Sequence, residues 1–218
     1  MTTFPRSPRT VRGGFIVMDA DGLAVRRTIP FQYNPETLTR SLAPRGATAE
    51  SGDRLEALRL TGPPAETLKI EIALDATDRL EHPDLNPLTV SEGIAADLAE
   101  LETMITPAVA DIEASEALAR VGTLEILPLP SPLLILVLGA NRTIPVRITE
   151  FSITEEAFDT RLNPTLARVS LGLRALTTED LPFGSKGAAL FLVAARRRER
   201  QSARRSIDLQ AFGLKGAP

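Results

Sequence analysis

Apolar and polar residues alternate most regularly between Ile144 and Leu176, and this pattern predicts two long β-strands joined as a hairpin. The second strand has an apolar face made of Ala167, Val169, Leu171, Leu173 and Ala175. Its polar face is made of Arg168, Ser170, Gly172 and Arg174. Because alternate residues of a strand point to opposite faces, we expect the first set to be buried and the second set to face water.

The first strand of this hairpin changes phase partway along its length. Val146 and Ile148 share one parity, whereas Phe151 and Ile153 share the other. One extra residue near Thr149 would account for the change, because a β-bulge places two residues opposite one on the partner strand. The pattern therefore predicts a bulge at this point.

Shorter alternating segments predict the remaining strands. They cover residues 11–18, 23–31 and 66–75. A continuous apolar run at 133–138 predicts another strand, and a further extended piece leaves a turn at Asn34 and Pro35. The segment 133–138 offers no polar face, so we expect it to be buried on both sides or to form an interface.

Helical spacing of apolar residues predicts three helices. The first covers residues 89–105, where Thr89 and Glu92 fit the spacing of a capping box. The second covers residues 108–120. The third begins near residue 188 and runs into an arginine-rich segment.

The order of these elements predicts an α+β domain built on an antiparallel β-barrel or sandwich, with a long hairpin, a helical insertion and a C-terminal helix. We expect a flexible N-terminal arm at residues 1–10 and a folded domain at residues 11–195. The helical insertion occupies about 87–121 within it. Residues 196–218 are expected to form an arginine-rich C-terminal tail.

The composition argues against several kinds of site. The chain of 218 residues has no cysteine and a single histidine, His82, which excludes thiolate chemistry and nearly excludes multi-histidine metal centres. Four acidic residues recur every three positions from Asp75 to Asp84 and could offer oxygen ligands to a divalent cation. They lack the glycine and ligand order of an EF-hand, so a solvated acidic loop is favoured. We expect no metal, no cofactor, no small-molecule substrate and no enzymatic activity.

The N-terminus lacks the apolar segment of a secretory signal, and the longest apolar run is too short to span a bilayer. We therefore expect a protein that is made in the cytoplasm and has no membrane segment.

Arginines cluster near the C-terminus, beginning with Arg196, Arg197 and Arg198. A basic helix can bind nucleic-acid phosphates, complement its own C-terminus, or dock on an acidic surface of a neighbouring subunit. The net charge of -3 and the scarcity of aromatic residues argue against nucleic acid.

Three stretches carry a resemblance to a known family: FQYNPETL, LKIEIALDATDRLE and the long hairpin PVRITEFSITEEAFDTRLNPTLARVSLGLRAL. They resemble the contractile injection system tube-like family, whose domain often precedes a peptidoglycan-binding LysM module. The chain departs from the family pattern in two places. It has Leu138 where an aromatic residue is expected before Gly139, and no LysM sequence follows the hairpin.

The resemblance implies a fold similar to phage tail-tube proteins, in which six copies close into a ring around a channel. It implies a baseplate protein that connects the spike hub to the inner tube, with other baseplate proteins as further partners. Such a protein would assemble in the bacterial cytoplasm and then belong to a phage tail-like particle. On this reading Arg168, Ser170, Gly172 and Arg174 face the channel. The residues expected at subunit interfaces are Phe31, Asn34, Pro35, Phe151, Phe158, Asn163, Arg196, Arg197 and Arg198.

Two alternatives remain open from the sequence. The chain could be a repeating subunit of the inner tube, although the helical insertion adds mass that a repeating stack must accommodate. It could also be a monomeric binding module that uses its basic tail on nucleic acid or an acidic protein.

Overall fold

The computed structural model describes residues 10–19, 21–46, 59–120 and 131–204. Nearly all of the predicted N-terminal arm and most of the predicted tail lie outside these residues. The strands are β1 (Gly14–Met18), β2 (Val25–Pro30), β3 (Leu38–Ala43), β4 (Ala65–Asp75), β5 (Leu133–Val137), β6 (Thr143–Phe158) and β7 (Pro164–Ala175). The helices are α1 (Thr77–Leu80), α2 (Pro87–Glu92), α3 (Ala95–Glu102), α4 (Val109–Arg120) and α5 (Lys186–Ser202), with a 3-10 turn at Pro83–Leu85.

All seven strands belong to one antiparallel sheet with the order β2-β1-β5-β6-β7-β4-β3. The predicted α+β class is therefore confirmed. Strands β2 and β3 are the two edges, and within the described part of the chain no pairing joins them. The sheet of the single chain is thus open rather than closed into a barrel.

The long hairpin of β6 and β7 forms the centre of this sheet. Ile148 pairs with Leu173, and the next pair is Glu150 with Gly172, so Thr149 is the extra residue. The predicted bulge is confirmed at this position. After the bulge, Phe151 returns to the same face as Leu171, which keeps the apolar residues of both strands on one side.

One face of the sheet, here called the inner face, carries the main hydrophobic core. Alternate residues of the strands pack there against the helical insertion, which contributes Ile94, Leu98, Leu101 and Met104. The rings of Phe15 and Phe31 meet edge to face with centroids 5.5 Å apart. Complete burial of such side chains stabilises a fold by about 1.5–3 kcal/mol each, so this face accounts for most of the packing energy.

A smaller cluster covers the opposite face at β1 and β5. Met18, Leu133 and Ile135 pack there against Leu181 and Leu190, the latter from α5. Strand β5 is therefore apolar on both faces, which explains its uninterrupted apolar sequence and confirms the predicted buried strand.

The predicted single helix at 89–105 is wrong, because the chain forms α2 and α3 with a break at Gly93. Gly93 has a φ of +64°, and the next amide, of Ile94, donates to the carbonyl of Pro164 at 2.8 Å. The amide of Ile94 therefore bonds to the start of β7 and not to a carbonyl of α2, so the helix ends here. The proposed capping box is also wrong, since Thr89 is buried inside α2 and Asn86 precedes the helix.

The C-terminal helix α5 begins slightly earlier than predicted. Ser185 is its N-cap, and its side chain accepts a hydrogen bond from the amide of Ala188 at 3.2 Å. The helix continues through Ser202, so the arginines at 196–198 are helical. Within the described residues, no helix is both long and apolar enough to cross a membrane.

Candidate functional site

The four residues predicted to face a channel lie on the outer side of the sheet, opposite the main core. We call the outer side of β4, β7 and β6 the polar face; it carries Lys69, Glu71, Arg168, Ser170, Gly172, Arg174, Glu150, Ser152 and Thr154. This surface crosses three adjacent strands and includes charges of both signs.

Arg168 is the best-connected charge on the polar face. Its guanidinium lies 3.0 Å from Glu71 on β4 and 2.9 Å from Glu156 on β6, so it links the strands on both sides of β7. The hydrogen bond with Glu71 raises the pKa of Arg168, and the negative charge of Glu156 acts in the same direction. The side chain is exposed, so we attribute its main effect to orientation rather than to stability.

Gly172 leaves room for an ion pair that crosses β7 on the polar face. A Cβ atom at Gly172 would lie 2.9 Å from the Cβ atom of Glu150, which is too close. Without a side chain at Gly172, the carboxylate of Glu150 reaches Lys69 at 3.7 Å across β7. The glycine is therefore buried beneath an exposed ion pair.

Arg174 marks one end of the polar face. Its guanidinium donates to Asp180 at 2.6 Å, and the same carboxylate accepts from the amide of Thr177 at 3.0 Å. The ion pair between Arg174 and Asp180 therefore holds the segment after β7 against the polar face. Arg174 is half-buried, whereas Ser170 is exposed.

The tip of the hairpin presents apolar side chains to solvent. Phe158 is 48% exposed and Leu162 is 79% exposed. Leu162 also has a φ of +63°, a left-handed conformation that normally favours glycine or asparagine. Asn163 donates to the carbonyl of Ser91 at 2.9 Å, which fixes the tip to α2.

Asp159 shapes this turn from within. Its carboxylate accepts from the side chain of Asn163 at 2.8 Å and from the amides of Asn163 and Arg161 at 2.8 and 2.7 Å. These bonds, that of the Asn163 side chain above all, lower the pKa of Asp159. The exposed tip is therefore held in one shape.

Several residues predicted at subunit interfaces make contacts within the single chain. Phe31 is 1% exposed in the main core, so its prediction as an interface residue is wrong. Asn34 accepts from the amide of Gly13 at 2.8 Å and donates to Val11 at 3.0 Å. Pro35 beside it is half-buried, and half-buried Phe151 packs against the main core.

The three predicted interface arginines of α5 have different surroundings. Arg196 is exposed and Arg197 is half-buried. Arg198 donates to Glu66 at 3.2 Å, and Arg40 donates to the same carboxylate at 2.7 Å. The side chain of Glu66 is only 7% exposed, so a buried acid joins α5 to β3 and β4.

A cleft of about 460 Å³ opens beside this ion-pair network. We call it the α5 cleft; it is lined by Arg40, Glu66, Leu138, Asn141, Arg142, Thr143, Ile144, Pro145, Ala175, Phe191, Ala194, Arg197, Arg198 and Gln201. The sequence reasoning missed Arg40, Glu66 and Arg142. The sequence does contain a signal for Glu66, because it lies on the same alternate positions of β4 as the buried residues Leu68 and Ile70.

Two of the four acids considered for a cation make local hydrogen bonds instead. Asp75 accepts from the amide of Thr77 at 2.8 Å, and Asp78 accepts from the hydroxyl of Tyr33 at 2.8 Å. The bond to Asp78 raises the pKa of Tyr33. Across the described residues, no three acidic or histidine side chains are grouped to hold a metal ion.

No protein-family model matches the chain, and no curated protein matches it either.

Proposed function

We propose that the chain is a structural subunit of a contractile injection system. In this proposal, six copies form a tail-tube-type ring at the baseplate and connect the spike hub to the inner tube. The observation that carries the proposal is a continuous polar face together with two sheet edges, β2 and β3, that pair with no further strand among the described residues. The sequence resemblance of the long hairpin points in the same direction.

The free edges supply a route to ring closure. A free edge strand exposes unpaired backbone groups, and proteins commonly satisfy them by pairing with another chain. Here the two edges differ, so β3 of one copy would pair with β2 of the next. Such head-to-tail contacts produce a closed ring when a whole number of copies, each rotated by the same angle from its neighbour, completes a full turn. Every residue of β3 after Leu38 is exposed, which leaves this edge accessible.

The polar face then becomes the channel wall. Its charges are paired across neighbouring strands, as in the contacts of Arg168 with Glu71 and Glu156. A channel wall that carries charges of both signs is hydrated. Because its charges are balanced, it does not bind a strongly charged cargo as tightly as a wall of one sign would.

The exposed tip supplies a contact along the ring axis. Leu162 and Phe158 are exposed, so their side chains contribute little hydrophobic stabilisation to the single chain. The left-handed backbone at Leu162 also costs free energy there. We assign this tip to an adjoining ring or baseplate protein, in agreement with the expected interface roles of Phe158 and Asn163.

The proposal includes no enzymatic role and no cofactor. Assembly would occur in the bacterial cytoplasm before the particle is completed. A repeating inner-tube subunit is the alternative within the same class, and the copy number per particle separates the two: one ring indicates an adaptor, and many rings indicate a tube.

Electron microscopy of the purified full-length chain tests the proposal. We expect six-fold rings in which the polar face borders the central opening. Rings with that face on the outer circumference would contradict the assignment of the channel wall.

A further inference from the structure

We propose that the α5 cleft binds an acidic peptide segment of a partner protein, with a carboxylate paired to Arg142 and Arg197 and neighbouring apolar side chains against the apolar lining. This inference does not depend on ring formation, because every lining residue belongs to one copy of the chain.

The shape of the cleft suits a short peptide. Its volume of about 460 Å³ lies within the usual range for ligand pockets, about 300–1,000 Å³. The apolar lining residues come from α5, from the end of β7, from the β5–β6 connection and from the start of β6. They are Leu138, Ile144, Pro145, Ala175, Phe191 and Ala194.

The charges of the cleft are out of balance. Four arginines line it against one acid, Glu66, which already engages Arg40 and Arg198. Arg142 and Arg197 are half-buried, and their guanidinium groups have no hydrogen-bond or ion-pair partner among the described residues. A partly desolvated charge without a partner is unfavourable, and a carboxylate can accept two parallel hydrogen bonds from each guanidinium fork.

The polar rim and the apolar lining favour a peptide over nucleic acid. Asn141, Thr143 and Gln201 offer hydrogen bonds suited to a peptide backbone. Phe191 is the single aromatic side chain in the lining, so successive bases would have no stacking platform.

The helix itself provides a matched control. Arg196 and Arg200 are exposed, and neither lines the cleft. The cleft variant combines Arg142→Ala with Arg197→Ala, and the control variant combines Arg196→Ala with Arg200→Ala. Both variants remove two positive charges, but from different surfaces.

The test uses fluorescence anisotropy with the full chain and three labelled probes. The probes are a peptide alternating leucine with glutamate, a peptide alternating leucine with lysine, and a single-stranded oligonucleotide. We expect the glutamate peptide to bind best. We expect the cleft pair of substitutions to weaken it about tenfold or more, and the control pair by less than about twofold.

A conservative pair, Arg142→Lys with Arg197→Lys, keeps the charge but loses the planar fork, so we expect intermediate affinity. This variant also keeps the test informative if the alanine pair unfolds, which thermal unfolding would reveal. Equal losses in the cleft and control pairs, no binding of the glutamate peptide, or tighter binding of the oligonucleotide would each overturn the proposal. A synthetic peptide of residues 205–218 that binds better than the glutamate peptide would make the chain's own segment the occupant, and would overturn it too. The oligomeric mass, measured in parallel, reports separately on the ring.

Discussion

Gly93 shows how one residue sets the path of the helical insertion. Its φ of +64° disfavours any side chain, and a Cβ atom there would lie 2.0 Å from the carbonyl oxygen of Pro164. Local strain and backbone overlap therefore act together.

We predict that Gly93→Ala lowers the free energy of unfolding by about 2–4 kcal/mol. Gly184→Ala is the matched control, because a Cβ atom at Gly184 would meet open space. We expect the control to change stability by less than about 0.5 kcal/mol. Denaturant unfolding measures both, and similar values for the two variants would show that Gly93 is under no special constraint.

Tyr33 offers an optical probe of the contact between the turn after β2 and the acidic stretch. The chain has one tyrosine and no tryptophan, so its near-ultraviolet titration reports this residue alone. The hydrogen bond donated to Asp78 raises the pKa of Tyr33 above its ordinary value of about 10. Because the folded pKa is raised, the stabilising effect is complete below the unfolded pKa and is lost as the pH rises through the folded one.

We predict that the absorbance midpoint of Tyr33 lies above about 10 and falls when Asp78→Asn removes the negative charge. Glu81→Gln removes a nearby acid that has no hydrogen-bond role with Tyr33, and we expect it to leave the midpoint in place. A midpoint that is insensitive to Asp78 would mean that the contact is absent in solution.

At the scale of elements, the hairpin of β6 and β7 combines strong regularity with an unfavourable tip. The regular part follows from period-two patterning, and the bulge at Thr149 keeps both apolar sets on one face. The tip contradicts local preference, because exposed Leu162 holds a left-handed conformation.

We predict that Leu162→Gly raises the free energy of unfolding of the single chain by about 0.5–1 kcal/mol, since glycine removes the strain and little burial is lost. Leu162→Ala keeps the strain and removes the side chain, so it should not stabilise. Both should weaken assembly if the tip is a contact. Chemical unfolding gives the first quantity and sedimentation the second. If the glycine variant is more stable and assembles as before, Leu162 makes no contact in the assembly and acts only within the turn.

The sequence allowed most strands to be predicted, but not the interruptions and long-range contacts. The alternation at 66–75 correctly predicted the strand β4, whose even positions are buried, whereas the helical spacing from 89 to 105 gave no sign of the break at Gly93. That break depends on Pro164, which is distant in sequence, and helical periodicity carries no information about it. Glu66 similarly acquires its partners Arg40 and Arg198 only when three separate elements meet.

At the scale of the whole molecule, the chain is an open antiparallel sheet with helices on both sides. The α+β class followed from element order, while the contacts of the polar face depend on the register among β4, β7 and β6. Closure of the sheet through neighbouring copies would be a property of the proposed assembly. It follows from no pattern within one chain and is the central claim to be tested.

Light scattering coupled to size exclusion tests that claim most directly. We predict a hexameric mass for the full-length chain. We predict a monomeric mass when Thr39→Lys and Ser41→Lys place charges on the exposed edge strand β3. Ala96→Lys with Ala99→Lys adds the same charge on the exposed side of α3 and should leave the hexamer intact. A monomeric mass for the unaltered chain at every concentration, or a hexamer that tolerates the lysines on β3, would contradict ring closure through the sheet edges.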